Sequence, residues 1–252
     1  MELLQAIGWA AMGTGFLFLM TSLGAAAVFF VKGEGRPGAQ RGMIGFAAGV
    51  MTAASIWSLL LPAMAQPGAL PGWLSAGLGL LAGVVFLAAL DDLAPRLRRR
   101  ENGPGRQNAL LMTAITLHNV PEGMAVGLAF ALAAAEGGEG LAAASALALG
   151  VGIQNFPEGA AVSLPLRQEG RSRGRAFLGG VLSGAVEPVF GVLVVLCAAG
   201  VRALMPWLLS FAAGAMLYVV VEELVPLAHS RAGTVGFVAG FLLMMVLDAA
   251  LG

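Results

Sequence analysis

Eight apolar stretches, each long enough to cross a bilayer, take up most of this 252-residue chain and leave little room for any other kind of fold. They run at about Ile7 to Val31, Gly42 to Ala65, Gly72 to Leu93, Asn108 to Ala135, Leu141 to Leu166, Ala176 to Gly200, Pro206 to Ala228 and Thr234 to Leu251, and are numbered segments one to eight. Crossing roughly 30 Å of hydrocarbon takes about 20 helical residues. Lipid offers no partner to a backbone N–H or C=O, so each segment must satisfy its own, as a helix. The expected fold is an all-α polytopic membrane protein, with eight transmembrane helices forming a single membrane domain over residues 1–252. Composition agrees: 58% hydrophobic residues against 11% charged ones, with a mean hydropathy of +0.86, lies outside the ordinary soluble range.

A formal net charge of zero conceals a strong asymmetry between loops. Lys32, Arg36 and Arg41 lie between segments one and two, and Arg96, Arg98, Arg99, Arg100 and Arg106 between three and four. Arg167, Arg171, Arg173 and Arg175 join five to six, and Arg231 joins seven to eight. Thirteen of the fourteen basic residues therefore fall in alternate loops, with Arg202 alone on the other side. By the positive-inside rule those loops are cytoplasmic and both termini external, as an even number of spans requires. Segment one lacks the basic n-region and the cleavage site of a signal peptide and is too long for its h-region, so it is read as a retained span. A single cysteine, Cys197, excludes a disulfide framework and a cysteine-rich metal cluster. The arginine loops are short and lack interleaved aromatics, which makes them topology signals and not a nucleic-acid surface. Short loops and thirteen arginines to one lysine suit a bacterial inner (plasma) membrane.

Two segments carry a polar hexapeptide that lipid would reject: His118-Asn119-Val120-Pro121-Glu122-Gly123 in segment four and Gln154-Asn155-Phe156-Pro157-Glu158-Gly159 in segment five. A carboxylate at bilayer depth costs about 3 kcal/mol on insertion scales, so a matched pair needs a compensating cation, proton or partner. Helical spacing puts His118, Asn119 and Glu122 on one face, and likewise Gln154, Asn155 and Glu158. Pro121 and Pro157 have no N–H to donate, which leaves the Leu117 and Ile153 carbonyls without their usual partners and bends the helices there. The glycine after each glutamate permits close approach. The connection Glu136-Gly137-Gly138-Glu139-Gly140 is short, so the two segments are antiparallel neighbours, and an inverted pseudo-two-fold axis in the membrane plane is expected to relate their motifs. An imidazole among carboxylate and amide oxygens suits a borderline dication such as Zn2+, and would also serve Mn2+, Fe2+ or Cd2+.

Glu187 is the best further ligand candidate, a carboxylate beside helix-breaking Pro188 in segment six. Met51 shares a helix face with Ser55 and Ser58 and could add a soft thioether, although most of the twelve methionines serve packing. Ser58, Glu222, Glu223 and His229 are the candidate transport-path residues. Asp91 and Asp92 read as interfacial residues near the arginines of the next loop, and Asp248 as a residue that meets water. Small residues recurring at small-xxx-small spacing, as in Gly77, Gly79 and Gly83 or Gly236 and Gly240, predict closely packed helices.

At these residues the chain resembles the ZIP family of divalent-metal transporters, and most of all its GufA-like branch. The resemblance rests on the two hexapeptides, the Glu187-Pro188 pair and eight expected spans with external termini, so it covers essentially the whole chain. It implies a binuclear metal centre. Met51, His118, Glu122, Gln154, Glu158 and Glu187 would surround the primary ion, and Asn119 and Asn155 would join the glutamates at an adjacent second one. Glu223 and Glu222 would match the path residues of segment seven. Many family members carry His where this chain has Gln154, which should loosen its preference for zinc over harder ions. Several bacterial relatives carry Asp where it has Asn155, and a neutral amide there lowers the negative charge at the second ion. Pro95 to Arg106 contains no histidine, so regulation by metal binding to that loop is not expected.

The expected function is uptake of a divalent metal, zinc first, into the cytoplasm. With a potential negative inside, two positive charges gain about 4.6 kcal/mol per 100 mV, and no Walker-type glycine loop is present to use ATP instead. Protons compete with the metal for the same donors, so binding should weaken in acid. Alternating access is expected from one helix bundle moving against another, and the resemblance implies an elevator-like motion. An enzyme, the intramembrane metal-dependent hydrolase, fares poorly: there is no HExxH or GxSxG, and His118 and His229 are the only histidines. A proton or organic-solute carrier is the other alternative, and it should not respond to micromolar zinc. The expected partners are divalent metal ions and the lipid bilayer, with no nucleic acid and with a homodimer left open.

Overall fold

The computed structural model describes residues 2–30, 37–67, 70–97, 105–168, 170–198 and 202–251; the side chains of residues 2, 37, 94–97, 105–118, 165, 168, 198, 202 and 251 lie outside that description. Every regular element among the described residues is helical. Six helices there are long and apolar enough to cross a membrane: Leu3–Phe29, Gly38–Ala65, Gly72–Leu93, Arg173–Cys197, Met205–Ala228 and Arg231–Ala250. The helices carrying the hexapeptides, Gly105–Ala135 and Leu141–Gln168, are 31 and 28 residues long. Polar residues dilute the apolar signal of the second, and of the first only Asn119–Ala135 has described side chains, which form an apolar helix. This is an all-helical polytopic membrane protein.

Prolines shape these helices in three ways. In segments four and five the helix runs on through Pro121 and Pro157 without interruption, so any bend there leaves the helix continuous. In segments two and seven a wider π turn precedes the proline: Ser55–Leu60 before Pro62, and Val220–Leu224 before Pro226. A proline ring clashes with the carbonyl four residues back, and the π turn absorbs that mismatch. It also shifts the angular phase. Ser58 therefore does not stay on the α-helical face shared by Met51 and Ser55, contrary to the spacing argument. Segment six is interrupted at one residue: a helix ends at Gly184, Ala185 forms a turn with helical dihedrals, and the helix resumes as Val186–Ala198. Glu187 and Pro188 thus lie in a first turn, where a missing N–H costs nothing.

Two groups of helices result. Segments one, four, five and six pack on one another, while two pairs with eight, three pairs with seven, and two joins seven. Glycine makes the close contacts inside each group. An added Cβ on Gly236 or Gly240 would run into the backbone of segment two, and one on Gly83 into that of segment seven, within 2.9 Å of Ala215 N. Gly77, by contrast, faces open space. Among the described residues, every glycine whose Cβ would strike the backbone of another helix does so within its own group. Across the seam segment five meets two and eight, and segment four meets seven. The tight glycine there, Gly150, faces side chains and no backbone, Met244 first and then Leu247.

Candidate metal centre

The glycine that ends each hexapeptide sets the distance to a neighbouring helix. A Cβ on Gly123 would lie 2.7 Å from Glu187 Cα, and one turn on, a Cβ on Gly127 would lie 2.8 Å from Gly191 Cα, so segment four rests directly on the backbone of segment six. Segment five rests in the same way on segment one, where a Cβ on Gly159 would come 2.8 Å from the Thr21 carbonyl carbon. This packing brings Glu122 and Glu158 within electrostatic reach of Glu187.

Asn119, Glu122, Gln154, Asn155 and Glu187 are all 0% exposed, and Glu158 is half-buried. Buried polar groups must find partners, and here the partners are specific. Gln154 donates Nε2 to Glu122 Oε1, and to Asn155 Oδ1 at 3.3 Å. Asn155 donates Nδ2 to Glu187 Oε1 at 3.0 Å, and Asn119 donates Nδ2 to the Ser183 carbonyl at 3.0 Å. Thr21 adds its hydroxyl to Glu187 Oε1 at 3.2 Å. Every amide nitrogen of the cluster is therefore committed to a protein acceptor. Asn119 Oδ1, Gln154 Oε1 and Glu187 Oε2 have no hydrogen-bond donor among the described residues. The positive end of the Val186–Ala198 helix, which holds Glu187 in its first turn, favours a carboxylate there. No buried side chain among the described residues is basic. Such a place offers acceptor oxygens and no positive side chain of its own among the described residues.

The sequence-expected residues are distributed unevenly. His118 lies on the Gly105–Ala135 helix one residue before Asn119, but its side chain is outside the described residues. Met51 is fully buried in the main apolar core. No group of three His, Cys, Asp or Glu side chains able to hold a metal occurs among the described residues, and the amides of Gln154 and Asn155 stand against the carboxylates. Glu222 and His229 are exposed and Glu223 partly so. Asp91 accepts a hydrogen bond from Tyr218 at 3.2 Å, while the side chains of Arg96 to Arg106 lie outside the described residues.

Asp248 corrects an expectation. It is 8% exposed and does not simply meet water. The π turn in segment two aims Ser58 at it, and the hydroxyl donates to Asp248 Oδ1 at 2.7 Å. Both line a cavity of about 370 Å³ that also includes Trp57, Gln66, Glu136 and Ala144. Sequence reasoning does not reach Thr21 or Ser183 either. A threonine in an apolar helix usually satisfies itself on its own backbone, so it sends no signal that it serves another segment.

A model of the ZIP Zinc transporter family matches residues 104–248, more than half of the chain, including both hexapeptides, Glu187 and segment seven. The chain belongs to the ZIP family. It is similar over nearly its full length to the Zinc transporter GufA of Myxococcus xanthus, at 40% identity across 92% of this chain and 94% of the relative. The human Zinc transporter ZIP11 is 35% identical, with 96% and 97% covered, and the Zinc transporter ZIPB of Bordetella bronchiseptica 39% identical, with 98% and 82% covered. As a ZIP protein of the GufA-like kind this is a transporter and not an enzyme. The family match leaves segments one to three outside it, and with them Met51, Ser58 and Thr21.

Proposed function

We propose that this ZIP protein carries a divalent metal ion, zinc first, into the cytoplasm through a site built by segments two, four, five and six. Its ligands are Met51, His118, Asn119, Glu122, Gln154, Asn155, Glu158 and Glu187. The observation that carries this reading is the direction of the buried amides, whose N–H groups are all committed while two amide oxygens and a carboxylate oxygen are left as acceptors. Acceptors without donors, at zero exposure and among three glutamates, are costly unless a cation serves them. Relatives named as zinc transporters support zinc as the cargo. Cd2+, Mn2+ and Fe2+ suit the same oxygen-rich donors. A second ion beside the first would require Asn155 to turn its N–H away from Glu187.

In this reading all eight segments cross the membrane as one domain, with both termini external and the arginine loops in the cytoplasm of a bacterial cell. The matching contacts of Gly123 on Glu187 and Gly159 on Thr21 are what an inverted two-fold axis would produce. The cavity at Ser58 and Asp248, closed above by Gln66 and Glu136, is the external mouth. Glu222, Glu223 and His229 line the way to the cytosol. One helix group slides against the other, since glycine locks each group internally and leaves the seam free of backbone contact at such positions. The membrane potential supplies the direction.

Zinc uptake into proteoliposomes held negative inside tests the proposal. Wild type should take up zinc, and Glu122→Ala and His118→Ala should each lose about 100-fold or more in kcat/KM, as expected when a ligand of a desolvated ion is removed. Equal rates in all three would overturn it.

A further inference from the structure

Segment one carries none of the expected ligands, yet it touches the centre through one atom. We propose that Thr21 is a positioning residue of the ion site: its hydroxyl fixes which oxygen of Glu187 is offered to the ion. The inference rests on the metal-site reading above and extends it to a helix outside the family match.

The geometry of the hydroxyl argues for this. Four buried or part-buried hydroxyls elsewhere bond tightly to the carbonyl four residues back: Thr14 to Ala10 at 2.7 Å, Thr52 to Ala48 at 2.7 Å, Ser55 to Met51 at 2.8 Å and Ser210 to Pro206 at 2.6 Å. Thr21 stands 3.2 Å from its own Leu17 carbonyl and 3.2 Å from Glu187 Oε1. Its single proton is drawn away from the helix toward the carboxylate, the stronger acceptor. Oε1 then receives two donors, Thr21 and Asn155, whereas Oε2 has none among the described residues. A carboxylate held by two donors on one oxygen cannot rotate freely, and its other oxygen faces the ion.

The fold holds Thr21 in place from both sides. Gly184 has no side chain where a Cβ would lie 2.9 Å from Thr21 Cβ and Cγ2 and 3.2 Å from its Oγ1, so the threonine packs against bare backbone there, and its β-branched side chain has few rotamers to choose from. Gly159 sits against the Thr21 carbonyl. Thr21 thus occupies on segment five's partner the place that Glu187 occupies on segment four's.

The test compares Thr21→Val, which keeps the shape and loses the hydroxyl, with Thr21→Ser, which keeps the hydroxyl and loses the methyl. Zinc uptake by the full chain in proteoliposomes is read as KM and kcat, with thermal unfolding in detergent alongside. Thr21→Val should raise KM about 10- to 100-fold, the range for losing a hydrogen bond to a charged group, with unfolding temperature and kcat close to wild type. Thr21→Ser should restore KM to within about threefold. Combining Thr21→Val with Asn155→Ala should give less than the product of the single effects, since both serve one oxygen. A wild-type KM in Thr21→Val, or a Thr21→Ser protein as impaired as Thr21→Val, would overturn the proposal. If the valine variant does not reach the membrane, Thr21→Ala replaces it in the same comparison. Glu187→Gln is the control: wild-type uptake by that variant would sink the metal-site reading itself, whereas loss of uptake there with a normal Thr21→Val would sink only the role of Thr21.

Discussion

The hexapeptides of segments four and five look like two copies of one motif, but the structure gives them different tasks. Segment four rests on segment six and contributes Glu122, fully buried, as an acceptor. Segment five rests on segment one and contributes the donors Gln154 and Asn155, which bind Glu122 and Glu187 in turn, while its own Glu158 stays half-buried. Segment four thus supplies the most deeply buried charge, and segment five supplies the two amides that bond to the carboxylates. Nearly symmetric motifs can therefore build an asymmetric polar cluster.

The largest expected effect would break this comparison most directly. Glu122→Gln should lower kcat/KM for zinc uptake by about 100-fold or more, because it removes a fully desolvated charge at the centre, whereas Glu158→Gln should cost about 10-fold, since Glu158 as a whole is only half-buried although its carboxylate oxygens are out of contact with water. Parallel uptake assays decide it. Equal losses would mean that the two motifs share the load evenly and that the difference in burial carries no functional weight.

Much of this arrangement was legible in the sequence. The alternating arginine loops, the apolar segments and the paired Pro-Glu-Gly units point to a helical membrane protein with polar groups gathered in two neighbouring helices, and the family relation bears the recognition out. What lay beyond reach depends on side-chain direction and helix phase. The π turn at Ser55–Leu60 cannot be read from spacing, which is why Ser58 was placed with Met51 and Asp248 was assigned to water. The interruption at Ala185 was signalled by Pro188, yet nothing local shows that it sets Glu187 in a first turn against Thr21. That contact joins residues 166 positions apart.

A smaller effect sharpens the comparison at the level of packing. Gly123→Ala and Gly159→Ala each place a methyl against the backbone of a neighbouring helix, which cannot give way as a side chain can. Each should destabilise the protein by about 1–3 kcal/mol, as overpacking does, and lower the unfolding temperature in detergent. Gly150→Ala, which meets the side chains of Met244 and Leu247 across the seam and no backbone, should cost less than about 1 kcal/mol, since a methionine side chain adapts. A Gly150 variant as unstable as the other two would mean that the seam is packed as rigidly as the groups it separates, and rigid-body sliding would lose its physical basis.

The smallest effect concerns selectivity, and it depends on the one exchange that most separates the two motifs. Gln154→His would give segment five an imidazole at the register where segment four has His118. Nitrogen donors favour zinc over manganese, so competition uptake should move toward zinc by about 10-fold, the scale on which a single ligand or its supporting partner changes metal affinity. The exchange also removes the amide N–H that now binds Glu122, so a gain in zinc preference should come with weaker binding of both metals unless the imidazole donates in its place. Reading the zinc-to-manganese ratio and the absolute KM together separates the two roles. A changed ratio with an unchanged KM would make Gln154 a ligand alone, whereas a raised KM with an unchanged ratio would make it only the donor that holds Glu122.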